Sequence, residues 1–111
     1  MSKKQEKIEL YSGVIAKMGK KVNDDLLASA VNACGPSIYK RDAELVSSSD
    51  KTELDRVKQN FLQKRLASKL SEDKLDAEIQ KVCDQFGSSN RNKYRAVFYY
   101  LLAENMGVKI P

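Results

Sequence analysis

Apolar positions along the chain recur at three- and four-residue intervals, and residues that start or stop helices punctuate the runs. Ile8, Tyr11, Ile15 and Met18 form the first stripe, followed by Gly19 where a helix end favours glycine. Asn23 or Asp24 is placed to cap a second helix with Leu26, Leu27, Ala30, Val31 and Cys34 on one face. Gly35-Pro36 ends it, and Pro36 can open a short third helix in which Ile38, Tyr39, Leu45 and Val46 face inward. Ser47-Ser48-Ser49 is a polar break. Asp50-Lys51-Thr52-Glu53 then reads as an Asp variant of the capping box, ahead of Leu54, Val57, Phe61, Leu62 and Leu66 at helical spacing. Ser71 caps a further helix with Glu72 and Asp73 in its first turn, where the helix dipole favours acids. Leu75, Ile79, Val82, Cys83 and Phe86 continue its stripe to Gly87.

The last helix is predicted from about Arg91 to Met106, closed by Gly107. Its segment Ala96–Ala103 reads AVFYYLLA, and at about 100° per residue those positions cover the whole circumference. A helix that is apolar all round is buried all round. The pattern therefore predicts one all-α domain over residues 1–111. Five or six short helices would surround a central, fully apolar C-terminal helix.

Composition narrows the function classes. The chain is 41% hydrophobic and 32% charged, a globular balance rather than a disordered one. No apolar run approaches a membrane span, and the start MSKKQEKIEL lacks the apolar core of a signal peptide. The two cysteines, Cys34 and Cys83, fall at apolar helical positions and read as buried free thiols in a reducing cytoplasm. There is no histidine, so the usual proton shuttle at neutral pH and the commonest transition-metal ligand are both missing. No nucleophile–base pair, acidic metal cluster or cofactor motif stands out, and the expectation is a protein without catalytic residues, metal or cofactor. The net charge of +5 is concentrated at the ends. Residues 1–22 carry six Lys against two Glu, and residues 87–111 carry four cations against one acid. Basic ends permit contact with a polyanion, although glutamates interrupt the N-terminal lysines.

The stretch GSSNRNKYR at 87–95 sets Arg91, Lys93 and Arg95 where a helix already presents its positive end. One reading is an anion site built from Ser88, Ser89, Asn90, Arg91 and Arg95 together with free N–H groups. The other is a solvated collar, whose alkyl stems cover apolar edges or whose charges pair with acids such as Asp84. On a wheel Arg91 and Arg95 lie about 40° apart, with Lys93 about 160° from both. The helix–GSSN–helix layout also suggests a helix-turn-helix, but AVFYYLLA leaves no exposed recognition face beyond its first turn. Tyr39-Lys40-Arg41 mixes an aromatic with cations, yet a single tyrosine is no stacking platform. Glu53/Arg56 and Asp55/Lys58 read as surface pairs three residues apart.

Two stretches carry a resemblance: GPSIYKRDAELVSSSDKTELDRVKQNFL at 35–62 and GSSNRNKYRAVFYYLL at 87–102. They resemble a family of roughly hundred-residue bacterial proteins catalogued only as a domain of unknown function. The resemblance implies a small bacterial protein and assigns no activity, cofactor or residue role. The expectation for function is a cytoplasmic, non-enzymatic module that binds another protein or itself, with no membrane partner. The alternative is a nucleic-acid or phosphate-binding protein that uses its basic ends.

Overall fold

In the computed structural model, which describes residues 2–87 and 89–111, six α-helices form and no strand does among the described residues. They are α1 (Lys3–Lys17), α2 (Asp24–Cys34), α3 (Arg41–Glu44), α4 (Lys51–Arg56), α5 (Glu72–Phe86) and α6 (Arg95–Met106). Four of them begin on a side-chain oxygen that accepts from a free first-turn N–H. Ser2 Oγ accepts from Gln5 N at 3.1 Å, and Asn23 Oδ1 accepts from Leu26 N at 3.1 Å. Asp50 Oδ1 accepts from Thr52 N at 2.9 Å and Glu53 N at 3.3 Å, and Ser71 Oγ accepts from Lys74 N at 3.4 Å. The capping box at Asp50 is only half made. The Asp50 N–H goes to Ser47 O, and Glu53 turns instead toward Arg95.

Helix α6 is the centre of the fold. Every residue from Ala96 to Ala103 is buried, and none is more than 7% exposed. α1, α2, α3 and α5 all pack on it. Phe61 stacks on Tyr99 with ring centroids 3.9 Å apart, and Phe86 packs on Phe98 at 6.0 Å. The Tyr100 hydroxyl, buried by the same packing, accepts from Asn23 N at 2.9 Å and so satisfies its polar tip at the start of α2. No helix among the described residues is long and apolar enough to cross a membrane.

Three local expectations are corrected. The last helix begins at Arg95 rather than Arg91, because residues 91–94 stay outside it: Lys93 O accepts from Val46 N and Tyr94 bridges Leu45. Tyr39 does not face inward: it ends a 3₁₀ turn over Gly35–Tyr39 and is 49% exposed. The segment behind α4 keeps its apolar spacing but changes pitch, winding as a π-helix over Val57–Arg65.

The change of pitch has a steric reason. In an α-helix Val57 and Leu66, nine positions apart, would stand on opposite faces. At roughly 4.4 residues per turn they return to nearly the same face, with Phe61 and Leu62 between them. Val57, Phe61 and Leu62 are buried, and Leu66 packs against the core. Leu66 N closes the run by donating to Phe61 O, five residues back, at 2.8 Å. Ala67 then adopts a positive φ of 51°, in the left-handed region that costs a side chain about 1–2 kcal/mol. Ala67 is exposed, so glycine there loses no packing. Ala67→Gly should therefore raise the unfolding free energy in urea by about 0.5–1 kcal/mol. A lower stability would mean that this helix end is not left-handed in solution.

Candidate functional site

The one pairing of extended backbone among the described residues brings distant segments together. Leu45 and Tyr94 form an isolated antiparallel bridge, and Val46 N donates to Lys93 O at 2.8 Å. Burial of Val46 and partial burial of Leu45 and Tyr94 hold the two strips against the core. Between them opens a cleft of about 460 Å³, with Asn90, Arg91 and Lys93 on one wall and Arg41, Asp42 and Ser47–Ser49 on the other.

Short α3 could not hold its wall alone, since four residues are less than a stable helix needs. It is tied at its C-terminal end from two sides. The Glu44 carboxylate accepts from the buried Tyr11 hydroxyl and pairs with Lys7 at 2.9 Å, joining α3 to α1. Arg95 Nε donates to Ala43 O at 2.8 Å while its Nη2 donates to Glu53, joining α3 to α6 and α4. Burial, reinforced by the bond to Glu44, pushes the Tyr11 phenol well above its ordinary range.

Lys93 dominates the electrostatics. Its residue is only 4% exposed, and its ammonium donates to Asn90 O. No ion pair among the described residues involves Lys93, Arg41 or Arg91. A buried ammonium with a carbonyl partner and no carboxylate is an uncompensated charge. Lysine 58 shows the usual alternative: it is equally buried but faces Asp76, Glu72 and Asp55 at 3.1, 3.5 and 3.8 Å. Beside Lys93, burial raises the Cys83 thiol pKa and the lysine's charge opposes that rise.

Of the residues singled out in the sequence, the fold brings Asn90 and Arg91 to the cleft. Ser89 is exposed in a turn and is not among the lining residues, and Ser88 lies outside the described residues. Arg95 is spent on Ala43 and Glu53. Asp84, considered as a partner for the cations, accepts instead from Gln80 Nε2 at 3.0 Å.

Residues 10–109, which include both walls of the cleft, match the family described as "Protein of unknown function (DUF2853)". The chain belongs to this family. No curated protein matches the sequence. The family description names no activity, so the cleft's own chemistry has to carry the functional reading. Arg41, Lys93 and the three serines had no local signal pointing to a common site. The Leu45–Tyr94 bridge and the Val46–Lys93 hydrogen bond bring these distant segments together.

Proposed function

We propose that the protein is a non-catalytic binding module whose cleft takes a phosphate-bearing or similar anionic ligand. The observation that carries this reading is Lys93, a nearly buried residue of the cleft lining whose ammonium has no carboxylate partner among the described residues. An anion seated there would supply the missing counter-charge. At an effective dielectric near 20, a unit-charge pair about 4 Å apart interacts by about 4 kcal/mol before desolvation is subtracted, against about 1 kcal/mol in bulk water. Lys93 is therefore the anchor, and the exposed Arg91 and Arg41 guide and clamp. Self-association finds less support in the geometry. The large exposed apolar side chains, Leu10, Tyr39, Leu70 and Val108, sit singly on four separate segments.

Phosphate or sulfate at about ten times its dissociation constant should stabilise the protein by about 1.4 kcal/mol, several degrees in melting temperature. Arg91→Ala should shrink that rise and Lys93→Met should remove it. Lys93→Met should also melt higher than the native protein without ligand, because an apolar chain replaces an uncompensated buried charge. An unchanged rise in both variants would end the reading. Retention on nucleic acid that falls steeply with salt, yet is indifferent to both substitutions, would instead favour the N-terminal lysines as the binding surface.

A further inference from the structure

The cleft is much larger than an inorganic anion needs. Its volume of about 460 Å³ corresponds to on the order of fifteen waters at about 30 Å³ each, and a phosphate displaces only a few of them. The remaining lining mixes groups that exchange hydrogen bonds with nearly as much apolar surface. Ser47 Oγ and Ser49 Oγ stand 3.4 Å apart, each able to donate or accept, with Ser48 between them in sequence. Asp42, on the same wall, is an acceptor only when ionised, and no ion pair among the described residues occupies it. Leu45 and Val46 are the apolar residues of the lining, and no aromatic side chain is among the lining residues.

Resting on the anion-binding reading, we infer that the ligand of this cleft is a small, water-soluble, polyhydroxylated phosphate ester of the sugar- or polyol-phosphate class. Lys93, with Arg91 and Arg41, holds the phosphate. Asp42 accepts from ligand hydroxyls, and the serines bond to others. The same lining selects against two neighbouring classes. A nucleotide brings a base that needs an aromatic or guanidinium face to stack on; the cleft has no aromatic, and its two guanidiniums, Arg41 and Arg91, are taken by the phosphate. A second anionic group on the ligand would meet the Asp42 carboxylate. Asp42 also disfavours phosphate itself, so its presence in a cationic cleft is a device for preferring ligands that carry hydroxyls.

Calorimetric titration with inorganic phosphate, a hexose phosphate and adenosine monophosphate tests the inference. The hexose phosphate should bind at least about tenfold tighter than inorganic phosphate, because its hydroxyls satisfy groups that bare phosphate leaves to water. Adenosine monophosphate should gain less over phosphate than the hexose phosphate does. In Asp42→Asn, inorganic phosphate should bind more tightly as a like charge is lost, and the preference for the hexose phosphate should fall several-fold. A rise of equal factor for all three ligands would make Asp42 a purely electrostatic neighbour and overturn the inference. Phosphate binding that Lys93→Met abolishes, but with no preference for the hexose ester, overturns the ligand class and leaves the anion site standing. No binding by any of the three overturns both.

Discussion

Replacing Arg95 by alanine should destabilise the fold by about 2–4 kcal/mol without abolishing binding of phosphate. Arg95 and Glu53 side chains are 15% and 17% exposed, between the surface pairs worth up to about 1 kcal/mol and the fully buried pairs whose disruption costs about 3–5. Removing the guanidinium also leaves the Ala43 carbonyl, which accepts from Arg95 Nε at 2.8 Å, without that donor. The loss falls on α3 because α3 is too short to hold itself. Urea unfolding of Arg95→Ala, Glu53→Ala and the double variant gives the coupling directly. A coupling energy above about 1 kcal/mol is expected, with the double variant less unstable than the two losses added. Arg95→Gln, which keeps one donor and more of the stem, should fold more stably and still show the thermal rise with phosphate that Arg91→Ala diminishes. If Arg95→Ala costs less than about 1 kcal/mol, the guanidinium is solvated and α3 is held by Glu44 alone.

The contrast between Arg95 and Arg91 shows where local sequence was informative. Capping residues were legible because capping is chemistry within three or four positions: Asn23, Asp50 and Ser71 all cap as their neighbours suggest. The burial of α6 was legible because eight consecutive apolar residues leave a helix no polar side. Where two segments distant in sequence compete for one strip of backbone, that signal fails. Residues 91–94 carry helix-compatible spacing, yet Lys93 and Tyr94 pair with Val46 and Leu45, and the helix starts at Arg95. The wheel angles among Arg91, Lys93 and Arg95 therefore never apply. Lys93, which such a wheel sets apart, becomes the buried cation of the cleft, and Arg95 becomes a strut. The π winding of Val57–Arg65 was hidden for a related reason. Apolar residues at 57, 61, 62 and 66 satisfy either pitch over one turn, and only the distance from Val57 to Leu66 distinguishes them.

A second consequence of this core is abrupt unfolding in alkali. Burial raises the phenol pKa of Tyr99 and Tyr100 above the ordinary 10.0, and Tyr11 is raised furthest, by burial and then by its bond to Glu44. Burial also pushes the Cys34 thiol up to about 12 and raises Cys83 above 9.0. Each of these groups keeps its proton in the folded state at a pH where the unfolded chain has lost it. Their stabilising contribution is thus complete below the unfolded values and drains away as pH climbs from about 9 through the raised folded values. The unfolded state binds fewer protons there, so stability falls with pH, by up to about 1.4 kcal/mol per pH unit for each group in its window. Lys58, raised by its bond to Asp76 against an opposing effect of burial, titrates in the same direction. Since a domain holds only about 5–15 kcal/mol in total, several such groups acting together should unfold it within one or two units. Helical circular dichroism should stay flat to about pH 9 and then collapse, with tyrosinate absorbance rising at the same midpoint rather than before it. Tyr100→Phe should move the midpoint upward relative to its own stability at neutral pH, because it removes one linked proton while leaving the ring in place. Tyrosinate appearing well below the loss of helix would show these phenols open to solvent, contrary to their burial around α6.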